Sequence, residues 1–177
     1  MTPLKSSSAP IRLNPDDILK LIPERYQMVL LDGADLYPDQ SRITGYKAVS
    51  LSEIWYAGTD EAKPGIDLTY PYSLLIGSLG QTAVALCFYL LRNTAIGENP
   101  LVLFARTSNI EFFNRVSPGN IITHRVRADY ITETGCLCSG GTYCGRNKIA
   151  WADKLIVAIK TRTQLAEMKQ NRKISNR

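Results

Sequence analysis

The uncharged stretch at residues 71–91 constrains the fold more than any other feature of this 177-residue chain. It holds no Asp, Glu, Lys or Arg, and Ile76, Leu79, Ala83, Leu86 and Leu90 recur along it at helical spacing. Its length is enough to cross a bilayer, so a transmembrane helix has to be weighed. Ser73, Gly77, Ser78, Gly80, Gln81 and Thr82 interrupt the apolar text, and strand-like sequence flanks it on both sides. A helix that is apolar nearly all round must then be enclosed, and a curved antiparallel sheet around it is the economical cover. The expectation is an α+β chain with no membrane span.

The rest of the chain supplies that sheet. Asn14-Pro15-Asp16-Asp17 opens a short helix, with Asn as cap, Pro at the first helical position and two acids in the first turn. It stops at Pro23. Residues 26–36 and 42–49 read as two strands of a hairpin around Pro38-Asp39-Gln40. A polar loop over 58–69 contains Pro64-Gly65. After the long helix, 101–106, 110–113, 121–131, 136–144 and 149–160 read as strands of an antiparallel meander, with turns at 117–120 and 146–148. No internal repeat is present. The arrangement is a hot-dog fold: a long central helix wrapped by a curved antiparallel β-sheet. Residues 1–12 are expected to be a flexible arm, 13–162 the single domain, and 163–177 a basic tail.

Charge and rare residues exclude several function classes. The net charge of +5 comes entirely from Lys5 and from Lys169, Arg172, Lys173 and Arg177, so residues 6–167 are neutral. A basic tail on a neutral body argues for solubility more than for nucleic acid, and no nucleic-acid partner is expected. The first ten residues lack the apolar core of a signal peptide, which points to the cytoplasm and free thiols. His124 is the only histidine, so a His-rich metal site is excluded. Cys136 and Cys138 share a strand face, with Cys144 across the meander. Three soft ligands suggest zinc, but no fourth is at hand, and buried thiols are the plainer reading. No metal and no cofactor are expected.

Several segments, in order, resemble the 3-hydroxyacyl-(acyl carrier protein) dehydratases of fatty acid synthesis. Leu21-Ile22-Pro23-Glu24-Arg25-Tyr26 matches that family's Leu-Leu-Pro-His-Arg-Tyr opening, and Val29-Leu30-Leu31-Asp32 its Leu-Leu-Val-Asp strand. Ser52-Glu53-Ile54-Trp55-Tyr56-Ala57-Gly58 resembles Asn-Glu-x-Phe-Phe-x-Gly. Tyr70-Pro71, with Leu74-Leu75-Ile76 and Gln81, resembles its helix start and Ala-Gln pair. Val116-Ser117-Pro118-Gly119-Asn120 resembles its Val-x-Pro-Gly-Asp turn. The resemblance implies a hot-dog dimer that handles an acyl thioester carried by acyl carrier protein or coenzyme A.

The departures fall on the chemistry. The family's catalytic His follows the strand-end Gly, where this chain has Thr59-Asp60 after Gly58. The family's helix carboxylate stands four residues before the Gln, where this chain has Gly77. The loop before the helix is also about five residues longer. Dehydration needs a base for the α-proton and an acid for the leaving hydroxyl, and neither Thr nor Gly supplies one. His124, on a strand past the Pro-Gly turn, is no substitute.

The candidate catalytic residues are therefore Thr59, Asp60 and Asp67, as a relocated acid or base; solvated loop charge is the alternative. Substrate contacts are expected from Tyr56, Gly58, Tyr70, Tyr72, Ser73, Gly77, Gly80 and Gln81. The helix start offers N–H donors to a thioester carbonyl. Gly77 and Gly80 would leave a groove for the acyl chain, or else serve close packing. Arg106, Arg115, Arg125 and Arg127 could meet an acidic carrier protein. The chain either acts on a carrier-bound thioester by altered chemistry or is a non-catalytic acyl-binding subunit pairing with an active relative.

Overall fold

Burial of the uncharged run decides the architecture. In the computed structural model, which describes residues 9–57, 65–92 and 101–160 (101–105 as backbone), α2 (Tyr72–Leu91) is one continuous helix. Every residue from Ser78 to Cys87 is buried, so about three turns are enclosed on all faces. By length and composition α2 could cross a membrane, but 67% of its most apolar stretch is covered by the chain's own sheet. It is a core helix.

Before it come β1 (Ile11–Leu13), α1 (Pro15–Leu21), β2 (Gly33–Tyr37) and β3 (Arg42–Ala48). After it come β4 (Leu101–Phe112), β5 (Ile121–Thr132), β6 (Gly135–Cys144) and β7 (Asn147–Lys160). The seven strands form one antiparallel sheet in the order β1-β2-β3-β5-β6-β7-β4. Only β5, β6 and β7 are a simple meander; β4 crosses to the far edge beside β7. The two short strands expected at 101–106 and 110–113 are this one strand, carried through a bulge between Phe104 and Arg106 and a left-handed Asn109 (φ 54°). Residues 11 and 12, expected in the arm, pair with β2 instead.

Helix α1 starts as its sequence dictates. Asn14 Oδ1 accepts from Asp17 N at 3.0 Å, and the Asp17 carboxylate accepts from Asn14 N at 3.2 Å. Ile18, on its inner face, is fully buried.

The helix sits close on the sheet. On β3, Ile43, Gly45 and Lys47 point inward, and a Cβ at Gly45 would stand 2.6 Å from Thr82 Oγ1. The main core gathers Leu36, Ile43, Leu79, Leu86, Leu155 and Val157 between α2 and the strands. A smaller core, with Tyr56, Tyr70, Leu75, Val116 and Ile122, closes the N-terminal end of α2.

Residues 26–32 belong to no strand, although the sequence reads as β there: 26–28 form a turn in which Met28 N donates to Arg25 O at 2.7 Å. Their hydrogen bonds go elsewhere: Asp32 N donates to Tyr46 O at 2.9 Å, and Gln81 takes the next groups along.

Candidate active site

Gln81 ties the core helix to the segment that walls the site. Its Oε1 accepts from Leu30 N at 2.8 Å and its Nε2 donates to Met28 O at 2.6 Å. A buried side-chain amide thus does what a neighbouring strand would do for the backbone. Both ends of the amide are engaged within the chain, so Gln81 positions the wall.

That wall closes a cavity of about 600 Å³ lined by α1 (Pro15, Leu19), by Gln27 and Val29, and by Ile54 and Trp55. The lining is predominantly apolar, and the volume lies in the range that holds a small-molecule ligand. Exposed Tyr26, Met28, Leu51 and Ile54 cluster on the same segments.

Among the cavity's polar lining is a buried ion pair. Lys47 Nζ stands 3.0 Å from Glu53 Oε1, with only 9% and 11% of the two side chains exposed. The same oxygen accepts from Ser50 N at 2.8 Å. Glu53 Oε2 and Trp55 Nε1 are buried without a hydrogen-bond partner among the described residues, as is the Tyr70 hydroxyl nearby. Trp55 and Tyr70 meet edge to face at 6.1 Å. Burial, and then the charge of Glu53, push the Tyr70 phenol well above its ordinary value, so it remains a protonated donor. One acceptor and two donors are left over, the complement a bound hydroxyl or carbonyl would use.

The start of α2 lies beside this cluster. Pro71 is its N-cap, no side chain caps it, and no acid occupies its first turn. Leu74 N and Leu75 N both bond to Pro71 O at 3.0 Å, while the N–H groups of Tyr72 and Ser73 have no acceptor among the described residues. Tyr72 is exposed and stacks on Phe112 at 4.2 Å. Tyr56 is buried, its hydroxyl 3.4 Å from Leu68 O.

The structure separates the candidates of the sequence. Gly58, Thr59 and Asp60 lie outside the described residues. Asp67 is exposed, 3.4 Å from Arg115, and hydrogen bonds from Thr69 hold its carboxyl below the ordinary range. It is a solvated, ionised group and a weak base. Beside Gly77, where a groove is expected, a Cβ would stand 3.0 Å from Leu30 Cδ1, the one contact within 4 Å among the described residues. Gly80 is buried within α2. Tyr56, Tyr70, Tyr72 and Ser73 do converge on the α2 N-terminal end.

Lys47, Glu53 and Trp55 are not among the site residues expected from sequence, although Glu53 and Trp55 lie in the 52–58 motif that carries the family resemblance. The available signal was Lys47 itself, a cation on the inward phase of a strand whose other inward positions are Ile43 and Gly45.

His124 does not line the cavity. It is 0% exposed, its Nδ1 2.8 Å from Thr142 Oγ1 and its Nε2 unpartnered, and burial lowers its pKa to about 3. The thiol trio is also different from the one expected. The neighbouring Cys136 thiol and burial push the Cys87 thiol up, while Cys144 donates to Asn120 Oδ1 at 3.3 Å. Among the described residues no cluster of three His, Cys, Asp or Glu side chains could hold a metal.

Comparison with known proteins sets these features in a family. No family model matches the chain. The 3-hydroxyacyl-acyl-carrier-protein dehydratase FabZ of Sinorhizobium fredii is 36% identical over 110 residues, covering 62% of this chain and 66% of that protein. The FabZ of Pseudothermotoga lettingae is 32% identical over 114 residues, with coverages of 64% and 74%. That of Rhizorhabdus wittichii is 28% identical over 153 residues, 84% of this chain and 92% of the relative. The match to the first of these spans just under two thirds of the relative's length.

Among solved structures, the dehydratase heterocomplex ApeI:P of Xenorhabdus doucetiae superposes with a TM-score of 0.67 at 14% identity, over 85% of this chain and 95% of that one. A hot-dog-like protein from Thermanaerovibrio acidaminovorans gives a TM-score of 0.55 at 14% identity, over 74% and 89%.

A buried helix in a wrapped antiparallel sheet, with an apolar cavity near the start of that helix, defines a hot-dog protein. On the sequence identities, the chain belongs to the family of the 3-hydroxyacyl-acyl-carrier-protein dehydratases.

Proposed function

We propose that this chain binds an acyl thioester, carried by acyl carrier protein or coenzyme A, in cytoplasmic fatty acid or polyketide-type biosynthesis, and that it does not perform ordinary dehydration. The observation that carries the reading is Gly77. Where the family resemblance implies a helix carboxylate, this chain has no side chain, and Leu30 Cδ1 lies 3.0 Å from where a Cβ would stand. Thr59 stands at the position implied for the histidine and cannot act as a base near neutral pH. Glu53 is the carboxylate of the cavity, and one of its oxygens is already engaged by Lys47 at 3.0 Å and by Ser50 N at 2.8 Å.

Binding remains well supported. The apolar cavity suits an acyl chain at roughly 0.8 kcal/mol per buried methylene. The unpartnered Glu53 Oε2, Trp55 Nε1 and Tyr70 hydroxyl suit an oxygen on that chain. The N–H groups of Tyr72 and Ser73 suit the thioester carbonyl.

The assembly we infer has two chains, each covering the other's open β4 edge and the exposed Tyr72, Phe112 and Phe113. The second chain is either a copy of this one or an active relative, as a dehydratase heterocomplex of the same fold exists. A second reading, altered chemistry on the bound thioester, draws on the same unpartnered groups and on Thr59, Asp60 and Asp67.

Mass spectrometry of a panel of acyl carrier protein thioesters after incubation with the chain tests both. Retention of acyl carriers with no mass change is the expected result. Loss of water from 3-hydroxyacyl carriers at ordinary enzyme rates, on the order of 1 to 1000 per second, would overturn the proposal. Any other mass change would establish the second reading.

A further inference from the structure

The face of the sheet turned away from α2 carries a second cavity, of about 620 Å³. Its position follows from strand alternation: Ile43, Val126 and His124 are buried toward the helix, which turns Arg42, Thr44, Tyr46, Thr123, Arg125 and Arg127 outward. The lining holds three arginines and no acid. Arg42 and Arg127 are direct cross-strand partners, and Arg125 is opposite Thr44 on the next outward position. Like charges placed directly opposite destabilise a sheet, so nothing in the fold itself calls for this pairing.

Asp129 answers Arg127 at 2.8 Å, but among the described residues Arg42 and Arg125 have no carboxylate within ion-pair distance. They lie instead over Tyr37 and Tyr143, at 5.2 and 4.6 Å from the ring centroids. Trp151 completes the surface. It lies flat on the sheet because Gly141 is beneath it, where a Cβ would stand 2.8 Å from the indole.

The geometry points to this cavity as a site for a nucleotide, a phosphate-bearing ligand with a flat base. Guanidinium forks match phosphate oxygens bidentately, and Trp151 and Tyr37 line the cavity with rings on which a base can stack, while Tyr46 is already held by Arg12 over its ring and by Asp35 at its hydroxyl. Thr44, Thr123 and Ser139 supply neutral hydroxyls between them. A second copy of the chain would bring its arginines against these arginines across a twofold axis, and is excluded by charge. A protein partner would need an apolar anchor, and the exposed apolar side chains Tyr26, Met28 and Ile54 lie on the segments of the other cavity. The site is on the opposite face of the sheet from the acyl cavity and stands independently of it.

Calorimetric titration of the full chain with ADP, coenzyme A, adenosine and inorganic phosphate tests the proposal. ADP and coenzyme A share the diphosphate and adenine and should both bind. Adenosine should bind at least about tenfold more weakly, as expected from losing one charge-assisted contact. Arg42→Gln with Arg125→Gln should weaken ADP about a hundredfold without moving the melting temperature, and Arg125→Lys should fall between, since it keeps charge and loses the fork. Failure of ADP to bind overturns the proposal. So does ADP affinity that survives the double variant, or binding of an oligonucleotide or an acidic protein alone. Coenzyme A binding abolished by Ile54→Arg but retained in the arginine variants belongs to the acyl cavity and also overturns it.

Discussion

Replacing Gln81 by leucine isolates the strut between the core helix and the cavity wall. Leucine has nearly the same volume and a good helix propensity, so burial and local structure are conserved. Two hydrogen bonds are lost. Leu30, 1% exposed, is left with an N–H that neither protein nor solvent can satisfy, a cost of about 1–3 kcal/mol. The carbonyl of Met28, a residue 51% exposed, turns to water, so its loss costs about 0.5–1 kcal/mol. The gain from burying an apolar side chain in place of an amide offsets about 1 kcal/mol, leaving a net destabilisation of about 0.5–3 kcal/mol. For a chain of this size that lowers the melting temperature by about 1–12 °C. Urea denaturation gives the free energy, and titration with an acyl carrier protein thioester gives the functional effect. The affinity should fall about tenfold or more, because Gln27 and Val29 lose their anchor. A melting temperature unchanged from wild type would refute the hydrogen-bond reasoning. Full destabilisation with unchanged acyl affinity would refute the link between Gln81 and the cavity.

The folded chain holds His124 neutral down to a pKa of about 3, against about 6.5 when unfolded, so its contribution is fully present above pH 6.5 and lost as pH falls toward 3. About 2 kcal/mol should be gone by pH 5, and urea midpoints for His124→Leu should show a flatter pH dependence over that window. Gly77→Leu should lower stability by about 1–3 kcal/mol by overpacking against Leu30, read as a drop in melting temperature; an unchanged value would reopen the groove. Lys47→Met strands the buried Glu53 carboxylate and should cost about 3–5 kcal/mol, with Lys47→Met/Glu53→Leu recovering most of it in a double-mutant cycle.

The large elements were legible because their signals are unopposed. No charge interrupts residues 71–91, and a helix without a polar face has to be surrounded. Asn14 and Asp17 announce α1 by the same atoms that cap it. Residues 26–32 misled for a definite reason: their apolar text is that of a strand, but Gln81, fifty residues away in sequence, supplies the partner. The split reading of β4 came from the polar 107–109 stretch, which the strand absorbs with a bulge and one left-handed asparagine. At the site, glycine is ambiguous in sequence, since the gap it leaves can be empty or filled, and the approach of Leu30 Cδ1 to Gly77 depends on a residue 47 positions away in the chain. The ion pair of Lys47 and Glu53 was hidden because charged residues are ordinarily read as surface.

The position of β4 at the end of the sheet has a consequence for how the protein behaves as a material. Paired with β7 on its inner side, β4 has no strand partner on its outer side among the described residues, and the outward-facing groups of its twelve residues present donors and acceptors to whatever arrives first. If a second chain caps that edge, folding and association share one equilibrium. The apparent melting temperature then climbs with protein concentration, by mass action rather than by any added contact within the chain. Dilution would loosen the fold, and scarcity of the partner would turn an orderly edge into a seed for precipitation.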